Sequence, residues 1–91
     1  MIYKITFSDD AEEEIKNFKR HEPRVYLKIQ KLLLELQEHP RTGTGHPEPL
    51  SGDRPGQWSR RITGKHRLIY EIIDDLVKIL VLSVYGHYRD K

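Results

Sequence analysis

The chain opens on an alternation. Across residues 2–7, Tyr3, Ile5 and Phe7 fall on one side and Ile2, Lys4 and Thr6 on the other. A period of two built from β-branched and aromatic residues predicts a strand. After Ser8 the period lengthens. Ala11, Ile15 and Phe18 share one face of a helix that should end near Arg20. Ser8 or Asp9 can cap its start, and Asp9 and Glu12 stand at capping-box spacing. The acids Asp9, Asp10, Glu12, Glu13 and Glu14 crowd its first turns, where the helix dipole favours negative charge. Pro23 suits the first turn of a second helix. Val25, Ile29, Leu32, Leu33 and Leu36 repeat there at helical spacing to about Glu38, and His39-Pro40 ends it. The apolar stripes of both helices need a cover, and strands are the only cover the chain offers.

Residues 40–57 change character. They hold four of the five prolines and four of the six glycines. A loop of that length inside a small domain is usually functional or disordered. Glu48 stands in it between Pro47 and Pro49, whose fixed φ lowers the entropy cost of positioning the carboxylate. Three strands follow, over residues 58–63, 66–73 and 76–84, with turns at Gly64-Lys65 and Asp74-Asp75. A two-residue turn at Asp74-Asp75 sets Glu71 opposite Lys78, Ile69 opposite Leu80 and Tyr70 opposite Ile79. The pattern is therefore β-α-α-β-β-β, an α+β arrangement of a single domain spanning residues 1–91.

Composition narrows the function classes. The chain has no cysteine, which excludes disulfide scaffolds and thiol catalysis. Its five histidines are scattered without metal-ligand spacing, so neither a metal nor a cofactor is expected. No apolar run is long enough to span a bilayer and no signal peptide is evident, which points to a cytoplasmic protein. Net charge is only +2, but it is uneven. Arg54, Arg60, Arg61, Lys65 and Arg67 lie in a stretch without an acid, a local field that suits a phosphate-bearing ligand or guards an edge hairpin against aggregation.

The remaining polar candidates are Glu48, the arginines and the pair His87-Tyr88. These are the residue types that metal-free RNA cleavage needs. A carboxylate can deprotonate a 2′-hydroxyl, guanidinium groups can hold the charged phosphorane, and an imidazolium can protonate the leaving 5′-oxygen. An aromatic ring can stack on a base. Singly, each residue has a plain structural alternative. Glu48 can be a surface acid, Arg60 or Arg61 can pair with Glu71 or a helix acid, and His87-Tyr88 can be a frayed end.

Together the motifs Gly43-x-Gly-x-Pro-Glu-Pro-Leu50, Trp58-Ser-Arg-Arg-Ile-Thr63, His66-Arg-Leu-Ile-Tyr70 and His87-Tyr88 closely resemble the Txe/YoeB toxins of the RelE superfamily. The resemblance implies a microbial-ribonuclease-like fold with an antiparallel sheet packed against two N-terminal helices. It implies an endoribonuclease that cuts mRNA in the A site of the 70S ribosome and halts translation. It also implies neutralisation by a cognate YefM-like antitoxin, and family members are often dimeric. Carried over by motif position, Glu48 is the general base and His87 the general acid. Arg67 stabilises the phosphorane with Arg61 beside it, and Tyr88 orients the substrate. The chain departs from the family in two places. Ser51 stands where the family often has lysine, a phosphate contact that Arg54 could replace, and Arg89-Asp90-Lys91 follow a pair that often ends the chain.

Those roles constrain the strand register. A two-residue turn at Gly64-Lys65 puts Ile62 opposite Arg67, with Arg60 on that face and Arg61 on the other. A three-residue turn with a bulge puts Arg61 opposite Arg67, and only then do both reach one phosphate directly. A bulge or longer turn is therefore expected. Two other readings fit the same sequence: a relative that shares the fold and poisons DNA gyrase, as ParE toxins do, and a passive nucleic-acid-binding module using the basic stripe.

Overall fold

A computed structural model describes residues 1–52 and 54–84. Strand β1 (Lys4–Phe7) is followed by helices α1 (Asp9–His21) and α2 (Pro23–Glu38), then by strands β2 (Glu48–Pro49), β3 (Gln57–Arg61), β4 (Arg67–Ile73) and β5 (Lys78–Ser83). The two candidate caps of α1 are resolved in favour of Ser8. Its Oγ accepts from the Ala11 amide at 3.0 Å and donates to the Leu82 carbonyl at 2.9 Å, tying the helix start to β5. Glu22 alone links the helices, serving as the C-cap of α1 and the N-cap of α2.

The five strands form one sheet in the order β1-β5-β4-β3-β2. It is mixed rather than wholly antiparallel, because β1 runs parallel to β5, pairing Ile5 with Ile79 and Phe7 with Val81. Both helices and three strands lie between them in the chain, which allows this, since a parallel neighbour needs a long connection. Ala11, Phe18, Ile29, Leu32 and Leu36 from the helices pack against Leu68, Tyr70, Ile72, Ile79 and Val81 from the sheet. Ile15, Val25 and Leu33, the rest of the predicted stripes, are half-buried against this core. The pairings Tyr70–Val81 and Ile72–Ile79 put the sheet's contribution on one face, so both helices cover that face.

The β4–β5 register differs from the expectation. Ile73 faces Lys78, Ile72 faces Ile79 and Glu71 faces Leu80, while Tyr70 faces Val81. Asp74–Leu76 coil into a 3₁₀ turn and Val77 takes a left-handed conformation, so four residues rather than two make the connection. The slip is two residues, which keeps every side chain on its face. A bulge between Ile69 and Tyr70 shifts the ladder once more, setting Ile69 opposite Ser83. Among the described residues no helix is long and apolar enough to cross a membrane.

Candidate functional site

The long loop is laid against the sheet by its glycines. Gly45 has φ +89°, and a Cβ there would lie 2.5 Å from the Arg61 carbonyl oxygen, so only glycine permits the approach. In that position the Gly45 carbonyl accepts the Arg61 amide at 2.7 Å. The chain then extends as β2, with Glu48 opposite Ser59 and Pro49 opposite Trp58. The Leu50 amide continues the contact by donating to the Gln57 carbonyl at 2.9 Å. Proline suits this strand because it is an edge, where a missing N–H costs no ladder bond.

Strands β3 and β4 meet in the register that sets Arg61 opposite Arg67. The connection is longer than two residues. The Ile62 and Thr63 amides both donate to the His66 carbonyl, at 2.8 and 3.2 Å, and Thr63 Oγ1 accepts the Lys65 and His66 amides at 3.1 Å each. Thr63 Oγ1 also lies 2.9 Å from Nδ1 of His66, whose buried ring meets the Phe18 ring edge-on at 4.9 Å. The turn is thus organised by a threonine hydroxyl.

Cross-strand partners share a face, and so do residues two apart along a strand. Glu48, Ser59, Arg61 and Arg67 therefore stand together on the face away from the helices. Opposed pairs have Cα atoms about 5 Å apart, and one strand spacing plus two residues is about 8 Å. Glu48 and Arg61 are exposed, Arg67 is half-buried, and Ser59 and Ile69 are buried between them. Among the described residues neither Arg61 nor Arg67 is paired with a carboxylate. Two guanidinium groups side by side can take a phosphate with up to two charge-assisted forks. Arg61 also borders a cleft of about 470 Å³ with Lys28, Lys31, Leu32, Glu35, Thr44 and Ile62, which extends the positive field towards α2.

Arg60 does not join this face. Alternation turns its side chain inward, where it is fully buried. Nη1 donates to Glu35 Oε1 at 3.1 Å, and Nη2 donates to the carbonyls of His39 and Thr42 at 2.8 and 2.9 Å. Of the alternatives drawn from the sequence, pairing with a helix acid describes Arg60, and a direct substrate contact is corrected by its burial. Arg54 is exposed on the β2–β3 connection, outside the Arg61–Arg67 ladder. His87 and Tyr88 lie outside the described residues. The strand that leads to them is anchored by Glu14, whose Oε1 accepts the Val84 amide at 2.9 Å and the Ser83 hydroxyl at 3.2 Å.

Glu14, Glu35 and Thr63 did not emerge from the sequence as site-building residues. Glu35 carried a signal, since it flanks Leu32 and Leu36 on the buried stripe of α2. Glu14 carried none beyond its place among the acids of α1.

A family model described as YoeB-like toxin of bacterial type II toxin-antitoxin system matches residues 7–88. The chain is 40% identical over 84 residues to Toxin YoeB of Mycobacterium bovis, covering 92% of this chain and 96% of that protein. It superposes on the YoeB dimer structure from Staphylococcus aureus with a TM-score of 0.84, at 36% identity, covering 97% of this chain and 100% of that one. The toxin chain of a heterotetrameric YoeB-YefM toxin-antitoxin complex from the same species gives 0.82 at 35% identity, again covering 97% and 100%.

Proposed function

The chain belongs to the YoeB-like toxins of bacterial type II toxin–antitoxin systems, and from that premise we propose that it is a ribosome-dependent, metal-independent endoribonuclease that cuts mRNA in the A site. The observation that carries the reading is the Arg61–Arg67 pair with Glu48 on the same face. Glu48 takes the proton of a ribose 2′-hydroxyl, and the oxygen attacks the adjacent phosphorus. Arg61 and Arg67 hold the phosphorane as its charge grows. The bond to the 5′-oxygen breaks, and that oxygen takes a proton from His87, leaving a 2′,3′-cyclic phosphate and a 5′-hydroxyl. Tyr88 orients the nucleotide, and Arg54 supplies an outlying phosphate contact. The protein works in the cytoplasm, where a YefM-like antitoxin neutralises it, and it forms a homodimer as its staphylococcal relative does.

The test is a bacterial translation extract in which new mRNA 5′ ends are mapped by primer extension. Wild-type protein should produce cuts at A-site codons that vanish without ribosomes. Glu48→Ala and His87→Ala should each lower cleavage by about 10²–10⁴-fold while the protein stays folded. Translation arrest without cuts, or undiminished cutting by both variants, would overturn the reading.

A further inference from the structure

We propose that Arg60 is a positioning residue: from the buried side of β3 it clamps residues 39–44 and so sets where Glu48 stands relative to Arg61. The proposal rests on the functional reading above, and it concerns how that face is held in place.

The clamp has three grips. Nη2 holds the His39 and Thr42 carbonyls, and Nη1 holds Glu35. Glu35 in turn accepts the Thr44 amide at 3.2 and 3.3 Å and the Thr44 hydroxyl at 3.2 Å. One residue further on, the Gly45 carbonyl takes the Arg61 amide. A single buried guanidinium thus fixes the segment from the end of α2 to the joint with β3, and Glu48 follows that joint by three residues. The Tyr70 ring lies 5.9 Å beneath the guanidinium, and its hydroxyl holds the Pro40 carbonyl at 2.7 Å, inside the same segment.

Stability alone does not account for a charge in this place. Buried ion pairs can be replaced by apolar residues of similar volume with little loss. Arg60 Nε is buried without a partner among the described residues, a further penalty. The residues Arg60 holds are, by contrast, not themselves buried. His39 and Thr42 are exposed, and the Glu35 side chain is 29% exposed. Losing Arg60 frees the loop at three part-buried contacts. The geometry is what the arginine secures, and a misplacement of about 1 Å at such a site costs about 10²-fold in rate.

The experiment compares Arg60→Met, a near-isosteric apolar variant, and Arg60→Lys with wild type. Three readouts are taken: cooperative thermal unfolding, hydrogen exchange of the Arg61 amide, and cleavage kinetics on ribosomes programmed with mRNA. Arg60→Met should unfold cooperatively and exchange the Arg61 amide at least about tenfold faster. Its kcat should fall by about 10–100-fold with KM within about twofold, and Arg60→Lys should recover part of the loss. A kcat within about twofold of wild type, or an Arg61 amide as protected as in wild type, overturns the proposal. If Arg60→Met does not fold, Gly45→Ala takes its place. It keeps the guanidinium but displaces the same joint, because its Cβ would lie 2.5 Å from the Arg61 carbonyl oxygen and 2.7 Å from Arg60 Cγ, and wild-type kcat and exchange in that variant equally overturn the proposal. Should the wild-type protein make no cuts, the ribonuclease reading fails, while Arg61 exchange still decides the clamp.

Discussion

At the scale of the residue, Tyr70 shows how a polar group in the core binds the molecule to a pH range. Its phenol is fully buried and donates to the Pro40 carbonyl. Burial pushes its pKa above the ordinary 10.0, and the nearby Arg60 charge pulls partly the other way. The native state thus holds this proton more tightly than the unfolded chain does. The resulting stabilisation is whole below about pH 10 and is lost as pH rises through the higher native value. Tyr70→Phe should lose about 1–3 kcal/mol at neutral pH, because the buried Pro40 carbonyl is left unpaired, and its alkaline loss should be blunted. Urea titrations near neutral and at about pH 10.5 check both. Arg60 marks the limit of what could be read beforehand. That Arg60 and Arg61 point to opposite faces follows from the two-residue period of any strand. The expected register set Arg61 beside Arg67 and so Arg60 on the other face; that Arg60 there meets Glu35 and the His39 and Thr42 carbonyls is a tertiary fact.

At the scale of the element, the helices were the most legible part, and their physics explains why. A stripe such as Val25, Ile29, Leu32 and Leu36 is redundant, and Pro23 and His39-Pro40 mark its ends. Ser8 was one of two candidate caps, and the structure adds a reason for it that no periodicity carries, the bond to Leu82. Ser8→Ala should therefore destabilise by about 1–2 kcal/mol, the cap and the second bond together. That corresponds to a Tm lower by about 4–8 °C per kcal/mol, measurable by calorimetry. Turns were the least legible elements, because one extra residue resets a whole ladder. The Arg61–Arg67 pairing followed from asking which register lets two cations reach one phosphate, whereas the Asp74-Asp75 turn offered no such constraint. There the 3₁₀ coil is held from outside. The Tyr3 hydroxyl and Arg41 both donate to Asp74 at 2.7 Å and keep its carboxyl below the usual range.

At the scale of the whole molecule, the sheet separates two jobs. One face is apolar and carries the helices, and the other carries Glu48, Arg61 and Arg67. A small net charge hides this division, so the field at the second face is better read from salt dependence than from the isoelectric point. For single-stranded RNA, Arg61→Ala should lower the slope of log K against log salt by about 0.7, the share of one lost phosphate contact. Binding titrations at several ionic strengths measure it, and an unchanged slope would mean that Arg61 does not meet the phosphate. The parallel pairing of β1 with β5 has a consequence in time rather than in space. The chain emerges from its own ribosome β1 first, and about seventy residues separate Phe7 from Lys78. At about 5–20 residues per second, β1 waits roughly 4–14 s for its partner. Until then Ile79 and Val81 are missing from the core. A product of interrupted synthesis upstream of β5 lacks the strand that joins β1 to the rest of the sheet, so it leaves in water apolar surface that the finished chain buries.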